Sequence, residues 1–322
     1  MPVIRPSVAS DLDRLLPLLV ADPACGLTAD TYLAKLADGQ YRHDRTWVAE
    51  DPAGGAPLAV AAWWGSPGAA RPGALDAVFV APSVGTDGLR TALAAELLST
   101  AHAEYARQGV ATPPEYHVFL PPDWRVRPDV VTALDWRREA ARRAGLPVDV
   151  ERLRYEWTPE AGLPEPEVSH QVVFRAEPDD DVYVDLFRRV LTDTLDAASR
   201  KDAERFGAEA QARGDVAFYR DSMPGERSWW RIARTPDGDP VGFVLPSRNQ
   251  VSPVIGYLGV LPEHRGRGYA DALLAEATRI LVTEADARMI RADTDLTNTP
   301  MAAAFDRAGY RNSGYRLVLS AH

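Results

Sequence analysis

The chain has 322 residues, of which 46% are hydrophobic and 25% charged, with a formal net charge of −10. That is ordinary globular composition at about twice the length of a common domain, which excludes disordered, collagen-like and coiled-coil classes and predicts two domains of roughly 150 residues each. The acidity is shared, with 16 basic against 21 acidic residues in 1–164 and 20 against 25 in 165–322, so neither half has the basic surplus that a nucleic-acid partner would require.

The opening, "MPVIRPSVASDLDRLL", lacks a basic stretch followed by an apolar segment of about 7–15 residues. No apolar run approaches ~18 residues, and the expectation is a cytoplasmic protein with no membrane partner. Alternation and turn punctuation then predict a strand at 3–5, a helix over 10–19, strands at 46–50, 58–64 and 75–80, and a helix over 89–108. A strand at 115–120, a helix near 131–144 and the alternating strand "VERLRYEW" close the first half. Cys25 is the sole cysteine; it excludes an intrachain disulfide and a thiolate metal cluster, and no metal is expected.

The stretch "EWTPEAGLPEPEVSHQ" has three prolines, four glutamates and no periodicity, and reads as a linker centred on 161–169. The order of elements then recurs. A strand at 171–174, helices between 182 and 213, strands at 228–234 and 241–245 around "TPDGDP", and a strand at 254–260 lead to a glycine loop. After it come a helix to about 283, a strand at 289–295, a helix over 300–307 and a last strand at 315–320. The economical reading is two copies of one α+β unit, a first domain over 1–160 and a second over 170–322.

The segment "VLPEHRGRGYA", Val260 to Ala270, sets two glycines and two arginines where a strand turns into a helix. The first N–H groups of a helix have no intrahelical partner, and with the helix dipole they form an anion site. Gly266 and Gly268 remove the Cβ atoms that would keep phosphate oxygens from the backbone. Ala270 keeps the first turn slim, and Arg265 or Arg267 can add a charge-assisted hydrogen bond. The helix behind the loop carries Leu273, Leu274, Ala277, Ile280 and Leu281 at core spacing.

"RGRGYA" matches Arg/Gln-x-x-Gly-x-Gly/Ala through Arg265, Gly268 and Ala270, and "NTPMAAAFDRAGYR" follows at a fitting distance. On these motifs residues 170–322 resemble the GCN5-related N-acetyltransferase (GNAT) superfamily. The resemblance implies an α+β fold of two tandem domains, each with a mixed, mostly antiparallel central sheet flanked by helices, and acetyl-CoA as cofactor. It also implies that the strand before the loop splays from its neighbour and pairs through the main chain of Leu258 and Val260 with the pantetheine arm. Tyr269, Asn298 and Phe305 join the implied cofactor set. In the first half "VAPSVGTDGLRTAL" puts Gly85 in the place of the arginine, Thr86 in that of a glycine, and Asp87 toward the pyrophosphate. That half resembles a degenerate copy that does not bind the cofactor.

An aliphatic amine with a pKa of ~10.4 arrives protonated near neutral pH, so a base must take its proton. Asp293 and Asp295, at period two on one strand, share a face. The resemblance puts Asp293 where relatives that acetylate protein N-termini carry the general base, and Asp295 is expected to bind the substrate amine. Phe305 stands where those relatives have the tyrosine that acts as acid. Tyr257, Tyr310 and Tyr315 are the substitutes, with Tyr257 the first candidate and Tyr310 more naturally a core aromatic. On the acceptor side Asp193 and Asp196 offer negative charge or a solvated face. Trp229 and Trp230 point to opposite faces of a strand, and Trp230 is taken as the candidate pocket wall. His264 reads as a surface-turn residue.

The leading expectation is an acetyl-CoA-dependent N-acetyltransferase acting on the amine of a small molecule by direct transfer in a ternary complex. Peptide or protein N-terminal acetylation, and a non-catalytic CoA-binding module, are the alternatives. The oligomeric state is open between monomer and homodimer.

Overall fold

A computed structural model describes residues 2–249 and 251–322. In chain order its elements are β1 (Val3–Pro6), α1 (Leu12–Leu15), α2 (Ala29–Ala37), β2 (Thr46–Glu50), β3 (Ala59–Trp64), β4 (Ala74–Val80), α3 (Asp87–Arg107), β5 (Tyr116–Leu120) and α4 (Pro128–Arg143). There follow β6 (Val148–Trp157), β7 (Val173–Arg175), α5 (Asp180–Val190), α6 (Ala197–Phe206), α7 (Ala208–Asp221), β8 (Arg231–Arg234), β9 (Pro240–Arg248) and β10 (Pro253–Val260). The chain ends with α8 (Tyr269–Glu284), β11 (Ile290–Asp295), α9 (Thr299–Arg307) and β12 (Arg311–Ser320). Among the described residues no helix is long and apolar enough to cross a membrane.

Two compact units form, one from the residues up to Glu151 together with Gly314–His322, the other from Arg152–Ser313. In the first unit the strands run in the order β1-β2-β3-β4-β5-β12, antiparallel except for β4 and β5. Both faces are covered, so its central strands are apolar throughout instead of alternating. Trp47, Ala61 and Trp63 face a core with Leu97, Leu98 and Leu134, while Val48, Val60 and Ala62 face one with Leu15, Tyr32 and Tyr41. The helix expected over 10–19 breaks into short turns, α1 being flanked by 3-10 segments. Pro17 has no N–H to continue an α-helical ladder. Helix α2, absent from the sequence reading, starts at Thr28, whose hydroxyl accepts the N–H of Thr31 at 3.3 Å.

The second unit has the order β6-β11-β10-β9-β8-β7, again antiparallel except for one pair, β10 and β11. Leu273, Leu274, Ile280 and Phe305 fill one face; Tyr183, Phe187, Val216 and Phe243 fill the other.

One expectation changes. Strand 150–157, read as the close of the first half, pairs with β11 from Arg152↔Asp295 to Trp157↔Ile290. The last strand, read as the close of the second half, pairs with β5 from Tyr315↔Leu120 to Leu319↔Tyr116. Each closing strand therefore lies in the other half's sheet, and residues 161–169, expected as a linker, fall inside the second unit. Alternation fixes which face of a strand is buried and carries no record of its neighbour.

In both units the parallel pair meets at a single register position, Leu75↔Tyr116 in one and Val254↔Arg291 in the other. Beyond that point the two strands diverge. This gap positions the site.

Candidate active site

Strand β10 keeps β9 as its neighbour through Val260↔Gly242, while its pairing with β11 stops at Val254. The N–H of Leu261 donates to Val241 on β9 at 2.9 Å. Along a strand the N–H and C=O groups point to alternate sides, so those of Leu258 and Val260 point away from β9 into the gap. The expected splay is present, and the Val260 carbonyl on that side accepts from Arg265 Nε at 3.2 Å.

Past Val260 a 3-10 turn over Pro262–His264 leads to Gly266 at φ 75° and Gly268 at φ 80°. Both glycines are in the left-handed region that side chains avoid. Gly268 is the N-cap of α8, and the N–H groups of Tyr269 and Ala270 in its first turn have no intrahelical acceptor. A Cβ on Gly266 would meet nothing within 4 Å and one on Gly268 only Val168 Cγ1 at 3.9 Å. The space over the loop suits a bulky anion, and the residues present fit the pyrophosphate of coenzyme A.

Arg265 behaves differently from its sequence reading. Its guanidinium donates to the carbonyls of Val190 at 2.8 Å, Thr192 at 2.7 Å and Asp193 at 3.3 Å. It thus caps the C-terminal end of α5, where a cation is favoured, and ties that end to β10. The following turn has Asp193 at φ 51°.

These parts enclose a cleft of about 580 Å³. Of the expected residues, Tyr257, Leu258, Val260, Arg265, Gly266, Gly268, Tyr269, Ala270 and Asn298 line it. Asn298 caps α9, its side chain accepting the N–H of Met301 at 3.4 Å. His264 also joins the wall, along with Thr194, Leu195, Pro300, Ala303 and Arg307, which the sequence reading did not single out. Pro300, Ala303 and Arg307 recur at helical spacing on α9, a signal masked there by core residues of the same helix. Arg307 is held by a two-pronged pair with Asp271 on α8, at 2.7 and 3.0 Å.

Five expected residues lie off the wall. Arg267 is exposed. Phe305 is buried, its ring stacked on Tyr155 at 4.8 Å, and Trp230 is buried against Tyr183 with the Arg227 guanidinium 4.1 Å over its ring; both are core residues because each completes an aromatic cluster. Asp293 has Arg154 of the neighbouring strand at 3.8 Å. Asp295, 2% exposed, accepts the N–H of Ala197 at 2.6 Å and pairs with Arg152 at 3.1 Å. Arg152 also reaches Asp196 at 3.4 Å, the residue whose side chain caps α6 through Ser199 N–H at 2.7 Å. Asp295 thus fixes the α5–α6 connection that forms the cleft's lip, and burial pushes its carboxyl above the usual range against the pull of Arg152. Of the other tyrosines considered, Tyr310 is buried with its hydroxyl 2.7 Å from Thr278 Oγ1, and Tyr315 belongs to the first unit's sheet.

Tyr257 is set among Phe187 at 4.6 Å, Phe243 at 5.6 Å and Tyr219 at 6.2 Å. Burial, then the charges of Asp196 and Asp215, raises its phenol far above the usual range, so it stays protonated. Asp215 on α7, one acid among many on a polar helix, is half-buried and lies off the cleft wall. Burial pushes its carboxyl up to about 7.

The first unit's counterpart of the gap is filled. Arg137, 1% exposed, donates to the carbonyl of Val78 on β4 at 3.0 and 3.3 Å, to Ala133 at 2.8 Å and to Asp22 at 2.8 Å. Val78 stands two residues before the end of β4 as Leu258 does on β10.

Residues 192–310 match the acetyltransferase (GNAT) family. No curated protein matches the chain. Among solved structures, a GCN5-related N-acetyltransferase from Sphaerobacter thermophilus is similar with TM-score 0.56 at 19% identity, covering 100% of this chain and 96% of that one. A tandem GNAT protein from the clavulanic acid biosynthesis pathway is similar with TM-score 0.50 at 16% identity, covering 100% and 99%. The glucosamine N-acetyltransferase region of a fungal multi-domain GH3 beta-N-acetylglucosaminidase aligns with TM-score 0.54 at 16% identity, over 99% of this chain and 38% of that one. At these identities the likeness is one of fold, and it runs the whole length of the chain; the family match falls on the unit that holds the glycine loop and the open strand edge, which makes that unit an acetyltransferase (GNAT) domain and the chain an acyltransferase.

Proposed function

We propose that the second unit binds acetyl-CoA in this cleft and passes the acetyl group directly to the amine of a small molecule while both are bound. The observation that carries the reading is the meeting, in one cleft, of the left-handed Gly266–Gly268 loop at the start of α8 with the β10 edge that β11 leaves open. The loop's N–H groups receive the pyrophosphate, and Asn298, Pro300 and Arg307 border the cofactor's path. The main chain of Leu258 and Val260 pairs with the pantetheine arm, and an N–H there is oriented in advance toward the thioester oxygen as it gains charge. Coenzyme A supplies the activated acyl group; the protein supplies orientation and proton transfer.

Direct transfer is supported by the state of the chain's sole thiol. Cys25 belongs to the other unit and is buried, and burial pushes its thiol up to about 11, so it is a poor nucleophile near neutral pH. Tyr257, the phenol on the wall, remains the candidate acid for the leaving sulfur. The solved relative described as a glucosamine N-acetyltransferase region makes amino sugars one set to include among the amines tried.

The test is a two-substrate rate study with acetyl-CoA and a panel of ethylamine, spermidine, tyramine, glucosamine and a short peptide. Intersecting double-reciprocal lines with a small amine are expected. Parallel lines would overturn direct transfer, and turnover of the peptide alone would overturn the small-molecule acceptor.

A further inference from the structure

Strand β10 changes parity partway along. Just before it the carbonyl of Ser252 accepts the N–H of Asn249 at 3.0 Å, and just after it the N–H of Leu261 donates to Val241 at 2.9 Å. Both groups face the β9 side, yet they lie an odd number of residues apart. In an unbroken strand the groups that face one neighbour recur at every second residue. One extra residue is therefore inserted, and the pairing with β9 places it between Ile255 and Tyr257, at Gly256. Beyond this bulge Leu258 and Val260 turn their main-chain groups to the gap; with no insertion Tyr257 and Gly259 would do so.

The extra residue of a bulge is left out of the strand ladder, and here a side chain takes up its carbonyl. Tyr219 on α7 donates its hydroxyl to the carbonyl of Gly256 at 2.7 Å. The fit around the bulge is close: a Cβ on Gly256 would come within 2.7 Å of the Leu245 carbonyl and 3.0 Å of Tyr219 Cε1. The Tyr219 ring stacks beside Phe187 at 6.3 Å and meets Tyr257 edge-on at 6.2 Å. Its helix is seated by Ala212 and Val216, both buried in the same core. The residues that follow Gly256, from Tyr257 to Val260, are the β10 wall of the cleft, so the hydrogen bond falls on the residue where that wall begins.

We propose that Tyr219 is a positioning residue for acetyl transfer: its hydroxyl pins the Gly256 bulge and so sets which main-chain groups β10 turns to the cleft. This rests on the acetyl-CoA reading above. The N–H of Leu258 meets the thioester oxygen only in the parity that the bulge imposes. A donor oriented in advance stabilises the developing charge, and one displaced by about 1 Å loses much of that effect. Tyr219 lies off the cleft wall and acts through Gly256 and the ring of Tyr257.

The experiment uses the full chain labelled with carbonyl-13C glycine and 15N tyrosine, which reports the four Gly–Tyr steps of the sequence, Gly256–Tyr257 among them. The signal of that step is the one lost in Tyr257→Phe. Tyr219→Phe keeps the ring and removes the donor; it should move the Gly256–Tyr257 signal and leave the other three in place. With acetyl-CoA and the amine turned over fastest, Tyr219→Phe should lower kcat about tenfold or more. The acetyl-CoA dissociation constant should change by less, since the Gly266–Gly268 loop is untouched. Tyr219→Leu removes the ring as well and serves as the packing control, with melting temperatures taken for both variants. An unmoved Gly256–Tyr257 signal, or kcat within about twofold of wild type in Tyr219→Phe with loss only in Tyr219→Leu, would overturn the proposal and leave Tyr219 a packing residue. Failure of the wild-type chain to bind acetyl-CoA would instead overturn the cofactor reading, and the Gly256–Tyr257 signal would still report on the hydrogen bond, so the two failures are distinguishable.

Discussion

Arg137 Nη2 donates to the carbonyl of Val78 at 3.0 Å, while Leu258, the residue in the same place on the second unit's open strand, faces a cleft. One fold thus holds two versions of one gap. In the first unit a buried guanidinium satisfies the free strand edge; in the second the edge is left for a ligand. The first unit's loop agrees, since Gly85 takes the place of Arg265 and Asp87 begins α3, where a phosphate would meet a carboxylate.

Removing Arg137 should therefore damage stability without creating a cofactor site. Arg137→Ala leaves the Val78 carbonyl and Asp22 without their donor in a buried setting, which costs about 3 kcal/mol or more. For a unit of this size that lowers Tm by roughly 6–12 °C. Calorimetric melting checks it; a Tm within about 2 °C of wild type would show that the guanidinium is dispensable.

Arg265 ties the end of α5 to β10 through carbonyls of Val190, Thr192, Asp193 and Val260. Arg265→Ala should speed amide exchange across 191–195 and weaken acetyl-CoA binding about tenfold, since hydrogen bonds to a charged donor are worth about 1.5–3 kcal/mol. Arg265→Lys should recover little, because an ammonium cannot fork between several carbonyls. Exchange followed by mass spectrometry reads the first effect and titration calorimetry the second; unchanged exchange at 191–195 would show the clasp to be idle.

Acid sensitivity has a definite source in the first unit. Arg5, with donors at 2.7 and 2.9 Å, holds the Asp11 carboxyl down at about 2, helped by the N–H of Val8 at 2.8 Å. A carboxyl whose folded value lies below its unfolded one adds stability that is whole above the unfolded value and is lost as the pH falls through the folded one. Asp11→Asn should cost about 2 kcal/mol at pH 7 and almost nothing at pH 2. Urea melts at the two pH values check this; an equal loss at both would assign the effect to packing.

The glycine loop and the open strand edge that the proposed cofactor site uses were legible in the sequence because both are backbone features. Gly266 and Gly268 are legible as residues that lack side chains, Ala270 as one with only a methyl, and Asn298 through the motif that carries the family resemblance. The acceptor side was not, because it depends on which carboxylates the fold pairs with arginine. Asp293 and Asp295 look like a free acidic pair at period two, but β6 brings Arg154 and Arg152 opposite them. That pairing could not be foreseen, since β6 reads as the last strand of the first half. Trp230 and Phe305 were misplaced for a related reason: an aromatic on a strand or short helix can face a cleft or a core, and only the neighbouring rings decide.

The central claim is that one unit binds acetyl-CoA and the other does not. Titration calorimetry of acetyl-CoA into the intact chain and into Gly268→Asp tests it most directly. At φ 80° an aspartate is strained, and its carboxylate would stand in the anion cradle. The account predicts one site per chain, lost in the variant. Two sites, or binding that survives Gly268→Asp, would contradict it.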